Sequence, residues 1–117
     1  MVNRYREGEH SLFTHQDKMY RVDDLIDAIE NHAEHFVDIE PLTWLFSSQE
    51  NYIDPRRAAK TDLFIPIIYT QLPTGQFVVL DGIHRLAKSI ILGNRRIKAK
   101  YCPSFILDKL SSVNVSQ

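Results

Sequence analysis

The hydrophobic pattern changes period twice between Leu63 and Cys102, and this succession constrains the fold more than any other feature. Branched and aromatic residues fill LFIPIIYTQ, LPTG then turns the chain, and FVVL resumes the apolar run. Apolar residues next recur at helical spacing as far as Gly93-Asn94, after which RRIKAKYC alternates. The pattern predicts a strand, a hairpin turn at 72–75, a buried strand at 77–80, a helix and a closing strand.

The remaining segments give weaker signals. Proline at position 66 indicates either an edge strand or a strand that begins near Ile67, because proline cannot donate to a sheet ladder. The stretch RVDDLIDAIENH, which starts at Arg21, has apolar residues at helical spacing and acids near its start, and it predicts a helix. We further predict a loosely structured lead-in with one short strand over 1–20, an inserted region over 33–60 that is loop apart from a short helix within 41–48, and a frayed tail over 111–117.

Length and composition predict one α/β domain over 1–117, with helices packed on a short mixed sheet. The chain has 117 residues, 44% of them hydrophobic and 25% charged, and a formal net charge of −1. There is no global basic field of the kind that attracts nucleic acid. The single cysteine, Cys102, excludes an internal disulfide and is typical of a reducing compartment. No apolar run reaches membrane-spanning length and no signal-peptide core is present, so we expect a cytoplasmic protein without a membrane partner.

A polar cluster, Asp81-Gly82-Ile83-His84-Arg85, separates the second predicted strand from the helix. At such a junction the unpaired N–H groups and the positive end of the helix dipole favour an anion. Gly82 allows a sharp turn and close approach of a ligand, while His84 and Arg85 add hydrogen-bond donors. Asp81 is placed to hold a Mg²⁺ ion or to orient His84. The cluster therefore predicts a phosphate site.

The same residues also have a purely structural interpretation. Asp81 is a good helix cap, Gly82 serves the turn, and Arg85 is then a solvated surface residue. Similarly, Arg56, Arg57 and Lys60 form either a lid over phosphates or a solvated loop. Local geometry leaves these alternatives open.

The stretch VVLDGIHRLAKSIILGNRRIKAKYC resembles the signature of the ParB/sulfiredoxin superfamily. That signature has a strand, an Asp-Gly-His-His-Arg type turn, a helix that ends in Leu-Gly, and a closing strand. The resemblance is close over 63–102 and weaker over 15–32, which would form the core of a ParB/sulfiredoxin-like fold. In these proteins a basic residue at the start of the upstream helix helps to bind nucleotide, and Arg21 has a similar place.

The resemblance implies a nucleotide ligand but several different chemistries. Sulfiredoxins use ATP to phosphorylate a cysteine sulfinate, some archaeal relatives phosphorylate serine, and ParB proteins bind and hydrolyse CTP. Sulfiredoxin activity is not expected here, because Ile83 stands at the catalytic cysteine position and Cys102 lies on another strand. ParB proteins carry a helix-turn-helix module after this domain, for which we expect no room. The turn is most similar to the serine-kinase-like subgroup, with Ile83 replacing the first histidine.

The roles that the resemblance implies fall on a small set of residues. A carboxylate before the upstream helix acts as general base in the serine-kinase-like subgroup, and Asp17 is the nearest acid here; its alternative is a solvated surface acid. Implied catalytic residues are Asp81, His84 and Asp17. Implied phosphate-binding residues are Gly82, Ile83, His84, Arg85 and Arg21. Asp81 is the implied metal ligand, with Mg²⁺ and ATP or CTP as cofactors.

Two functional hypotheses follow. The first is a Mg²⁺-dependent phosphotransferase, such as a kinase with a small hydroxyl acceptor, or a nucleoside triphosphatase that acts through Asp81–Arg85. The second is a non-catalytic ParB-like regulatory module that binds DNA or a protein partner, as in a plasmid- or phage-type accessory protein. The first requires a carboxylate near the turn, whereas the second requires an exposed apolar or basic patch.

Overall fold

The computed structural model describes residues 12–16, 18–47 and 53–115. Two compact units make up the chain, Met1–His32 with Cys102–Gln117 and Ala33–Tyr101. No helix among the described residues is long and apolar enough to cross a membrane. The secondary-structure elements in chain order are β1 Leu12–His15, β2 Lys18–Arg21, α1 Val22–Ala28, β3 His35–Asp38, a 3₁₀ helix Glu40–Leu42, α2 Trp44–Ser47, α3 Pro55–Lys60, β4 Ile67–Gln71, β5 Phe77–Asp81, α4 Ile83–Ile91, β6 Arg96–Tyr101 and α5 Ser104–Val115.

The unit Ala33–Tyr101 is built on a four-stranded mixed sheet with the strand order β3-β6-β4-β5. Strand β4 runs parallel to β6, while the pairs β3–β6 and β4–β5 are antiparallel. This sheet and its helices confirm the predicted α/β mixed-sheet class, whereas one domain over 1–117 stays a prediction. The core cluster of the unit consists of Ile39, Leu42, Leu45, Ile67, Leu86, Ile97 and Ala99.

The first half of the predicted succession is confirmed. Strand β4 begins at Ile67, as one of the two alternatives for the preceding proline predicted. It lies in the interior of the sheet, so it is not an edge strand. The hairpin turn closes where Gly75 N–H donates to Leu72 O at 2.8 Å and Leu72 N–H donates to Gln76 O at 2.8 Å. Strand β5 is half-buried except for the buried Leu80, because it is an edge strand. The prediction of a fully buried strand there was wrong.

The second half of the succession is also confirmed. Helix α4 follows β5 after one residue, and the predicted stop at Gly93 ends it. Gly93 N–H donates to Ile90 O at 3.0 Å, and Asn94 N–H donates to Ser89 O at 2.9 Å. These two bonds satisfy carbonyl groups that the helix itself leaves unpaired.

Three predictions about the weaker segments were wrong. Outside the one short helix predicted within 41–48, the region 33–60 is not only loop, because it also contains strand β3 and helix α3. The lead-in forms two strands, β1 and β2, rather than one. The tail is helical as far as Val115, since α5 follows Pro103 directly. Strand β3 has four residues and pairs with β6, which is far away in sequence, so local pattern could not reveal it.

Trp44 connects α2 to the edge of the sheet. Its indole N–H donates to the carbonyl oxygen of Phe77, the first residue of β5, at 3.0 Å. The ring is half-buried against the core of the unit. The short helix predicted within 41–48 is therefore confirmed, and it packs on the sheet.

The other unit contains the β1–β2 hairpin, α1 and α5. Helix α1 confirms the helix predicted after Arg21, and it buries Val22 and Leu25. Cys102, which precedes α5, is buried, and burial raises the pKa of its thiol to about 11. The thiol is thus a packed, protonated group at neutral pH.

We predict that Gly82→Ala destabilises the protein more than Gly93→Ala does. Both glycines have positive φ, 109° and 81°, so alanine is strained at either position by about 1–2 kcal/mol. Only at Gly82 would the new Cβ lie 2.7 Å from Ile67 Cγ2 and 2.8 Å from Arg85 Nη2. This overlap adds about 1–3 kcal/mol. Urea unfolding of both variants measures the difference, and equal costs would contradict the close packing at Gly82.

Candidate functional site

The predicted phosphate site lies at the junction of β5 and α4. Strand β5 ends at Asp81, Gly82 is the N-cap residue, and α4 begins at Ile83. The helical hydrogen bonds start with Leu86 N–H, which donates to Gly82 O at 3.0 Å. The N–H groups of 83–85 therefore have no carbonyl partner within the helix, and the dipole adds positive potential at the same place. This end of α4 favours an anion.

Arg85 is buried beneath this junction. Its Nη2 donates to Asp81 Oδ2 at 3.0 Å, and the exposed fractions of the two side chains are 7% and 18%. Burial lowers the pKa of Arg85, and the nearby Asp81 carboxylate opposes that shift. The Nε atom of Arg85 is buried and has no hydrogen-bond partner among the described residues. The junction thus contains an ion pair with one unsatisfied donor.

The N-cap residue of α4 is Gly82, so a capping role of Asp81 stays a prediction. The interpretation of Arg85 as a solvated surface residue was wrong, because its side chain is buried. Instead, the guanidinium lies directly over Gly82 and reaches back to the last residue of β5. The pair therefore fixes the angle at which the strand passes into the helix.

His84 points to the start of α3. Its Nε2 accepts a hydrogen bond from the backbone N–H of Asp54 at 3.1 Å. Burial lowers the pKa of His84, and Arg57 lowers it further, whereas the Asp54 carboxylate raises it. An accepting Nε2 requires the neutral ring, so the ring proton lies on Nδ1. His84 therefore has an N–H group with which it can donate to a ligand.

Helix α3 is attached to α4 at both of its ends. At its start, the attachment is the hydrogen bond from Asp54 N–H to His84 Nε2. Asp54 also caps α3, because its Oδ1 accepts from Arg56 N–H at 3.0 Å, and Pro55 occupies the first helical position. At its end, Lys88 Nζ donates to Thr61 O at 2.8 Å. Because the starts of both helices meet at His84, the positive ends of both dipoles lie near the same place. The arrangement also brings the exposed Arg57 within electrostatic range of His84 and Arg85.

Sequence reasoning found the turn but left α3 out of the site. From sequence, Asp54 falls in the loop predicted within 33–60, and Arg57 belongs to the segment interpreted as a lid or a solvated loop. The signal that identifies them is Asp54-Pro55, which places a capping side chain before a proline at the first helical position.

The roles of two other predicted site residues, Asp17 and Arg21, stay predictions. Asp17 falls outside the described residues, so its role as a base stays a prediction. Arg21 is the last residue of β2 and the N-cap residue of α1, in the other compact unit, and its contribution to nucleotide binding also stays a prediction. Within 12–16, 18–47 and 53–115, no three His, Cys, Asp or Glu side chains come together in a group that could hold a metal ion.

Comparison of the sequence with protein-family models and with curated proteins found no match. The ParB/sulfiredoxin resemblance therefore rests on the motif, and its implications for function stay predictions.

We predict that Asp81→Asn lowers the free energy of unfolding by about 1–3 kcal/mol, because Asn leaves the buried Arg85 guanidinium with a weaker, neutral acceptor. The matched control is Asp38→Asn, which removes one partner of the exposed Arg96–Asp38 pair, with 3.5 Å between Arg96 Nε and Asp38 Oδ1. It should cost less than about 1 kcal/mol. Denaturant unfolding checks both, and an Asp81→Asn protein as stable as the parent would contradict the proposed role of the ion pair.

We predict that His84 makes the protein less stable at acidic pH. Its pKa in the folded protein is below 6.5, so the unfolded chain binds more protons as the pH falls below that value. The His84 contribution is complete above pH 6.5 and decreases as the pH falls through the pKa of the folded state. The variant His84→Gln keeps an acceptor but cannot titrate. Between about pH 7.5 and pH 5.5 its free energy of unfolding should decrease less than that of the parent protein; parallel pH profiles would refute the assignment.

Proposed function

We propose that this protein binds the phosphates of a nucleotide at the start of α4 and acts as a phosphotransferase or nucleoside triphosphatase. The observation that carries the proposal is the buried Arg85 Nε, which has no hydrogen-bond partner among the described residues and lies beside a glycine at a helix N-terminus. An unsatisfied buried donor costs about 1–3 kcal/mol, and more when it is charged. A phosphate oxygen that reached this atom would remove the cost. The motif resemblance to the ParB/sulfiredoxin superfamily supports the same ligand.

Three kinds of donor would hold the phosphates. The N–H groups of the first turn of α4 supply backbone donors, with the dipole adding attraction. His84 supplies Nδ1–H, because its Nε2 is occupied by Asp54 N–H. Arg57 is exposed and within electrostatic range of the turn, so its guanidinium can close over a bound phosphate. Phosphate recognition would thus depend on α3 as well as on the turn.

The chemistry would consist of positioning and charge neutralisation, as is usual in phosphoryl transfer. Asp54 is the described carboxylate that acts electrostatically on His84, and we propose it as the base that accepts a proton from the attacking hydroxyl group or water. Mg²⁺ is held in many such sites by one or two carboxylates together with the phosphates, and it supplies charge neutralisation. Asp81 would be its protein ligand, in competition with Arg85. We also propose a cytoplasmic location, for which the buried single thiol is the support.

We predict that Arg57→Gln weakens the binding of Mg·ATP or Mg·CTP at least about tenfold, because it removes a charge-assisted hydrogen bond. Isothermal titration calorimetry measures the dissociation constants. The control is Arg56→Gln on the same helix, an exposed neighbour with no resolved electrostatic effect on His84 or Arg85, which should change binding less than about threefold.

Catalysis is tested separately with Asp54→Asn, which keeps a capping side chain and removes the charge. This variant should bind nucleotide normally and release phosphate about 10²-fold more slowly, or slower still. If no nucleotide binds the parent protein, the proposed function is wrong. If nucleotide binds and Asp54→Asn turns over normally, only the assigned base is wrong.

The second candidate function is a non-catalytic module that binds DNA or a protein partner. One observation favours it: Phe36, Phe64, Ile91 and Leu92 are each more than half exposed. Exposed apolar surface of this kind is typical of interaction sites.

A further inference from the structure

A surface groove of about 460 Å³ lies in the unit Ala33–Tyr101, away from the start of α4. It is bounded by β3, β6, α4 and the segment between α3 and β4. Its wall is mostly apolar, with two ammonium groups and one carboxylate. The lining residues are Phe36, Thr61, Asp62, Leu63, Phe64, Lys88, Leu92 and Lys98.

The most exposed aromatic side chain of this groove is held in place by a hydrogen-bonded turn. Phe64 is 81% exposed. Its N–H donates to Asp62 Oδ1 at 2.9 Å, and Ile65 N–H donates to Asp62 O at 3.1 Å. Lys98 Nζ lies 5.5 Å from the centroid of the Phe64 ring, within the range of a cation–π contact. Phe64 is therefore presented to solvent in an ordered conformation, which reduces the entropy that binding would cost.

Helix α4 contributes an apolar strip to the same surface. Leu92, the C-cap residue of α4, lines the groove together with Lys88, and Ile91 neighbours Lys88 on the helix surface because the two are spaced by three residues. Ile91 is 75% exposed and Leu92 is 59% exposed. A helix that keeps such residues in water gains stability when another apolar surface covers them.

The charged groups that line the groove indicate which kind of ligand would bind there. Lys88 uses one of the three donors of its ammonium group on Thr61 O, and Lys98 Nζ lies 3.6 Å from Glu34 Oε1. The lining carboxylate, Asp62, already accepts from Phe64 N–H. Glu34 therefore offsets part of the Lys98 charge, whereas Lys88 has no carboxylate within salt-bridge distance among the described residues, so a ligand that brings a carboxylate is complementary to Lys88 in particular.

We propose that this groove binds an acidic amphipathic peptide segment of another protein. Two or three large apolar side chains of the segment would contact Phe36, Phe64 and Leu92, and its Asp or Glu side chains would pair with Lys88 and Lys98. Helical segments bind grooves in this manner through apolar residues spaced by three, four and seven positions. The proposal does not depend on nucleotide binding at the other end of α4.

The test uses a displayed library of random peptides of about twelve residues, selected against the whole protein. We expect enrichment of peptides that combine helically spaced apolar residues with an excess of Asp and Glu. Biolayer interferometry on a synthetic copy of an enriched peptide should show at least about tenfold weaker binding to Phe64→Ser. Lys98→Gln should weaken binding by about three- to tenfold, and added salt should weaken binding to the parent protein as well.

The control is Phe105→Ser, which removes a similarly exposed phenylalanine in the other compact unit and should leave peptide binding unchanged. Both phenylalanines are exposed, so neither change should unfold the protein. The proposal is wrong if no peptide is enriched, if enriched peptides lack acids, or if they bind Phe64→Ser normally. It is also wrong if sedimentation shows a homodimer that Phe64→Ser dissociates, because a second copy then covers the groove, or if single-stranded nucleic acid displaces the peptide.

Discussion

The structure of the site depends on one buried charge. A guanidinium group in the interior costs several kcal/mol unless a carboxylate and further hydrogen bonds compensate it. Arg85 reaches its carboxylate partner only because Gly82 has no Cβ and because Asp81 lies at the end of the neighbouring strand. Strand end, glycine and helix start are therefore coupled, and each is needed for the other two. The backbone donors of α4 owe their fixed direction to this ion pair.

The two ends of helix α4 contribute to two different kinds of surface. Its start is polar, with N–H groups that have no carbonyl partner within the helix, His84 and the nearby Arg57. Its later turns present Lys88 and Leu92 to an apolar groove. The hydrogen bond from Lys88 to Thr61 O lies between these regions and connects α4 to the segment that carries Phe64. Helix α4 and this hydrogen bond thus connect the candidate phosphate site to the segment at the groove.

Sequence alone predicted the elements from Leu63 to Cys102, because each has a strong period and a clear stop signal. It did not predict β3, which is four residues long and is stabilised by β6 rather than by its own composition. The position of the junction between β5 and α4 was also predictable, but the burial of Arg85 was not. Two opposite charges spaced by four residues, such as Asp81 and Arg85, resemble an exposed helix pair, and only the fold shows that the strand end turns one of them inward.

The hydrogen bond of Trp44 has a spectroscopic consequence. This chain contains one tryptophan, so its intrinsic emission comes from a single known place. The indole is bonded to the first residue of β5, the strand that leads into Asp81 and the start of α4. A change in the packing of that strand alters the environment of the ring and hence the wavelength of its fluorescence. The protein therefore carries its own optical reporter of the strand on which the candidate site is built.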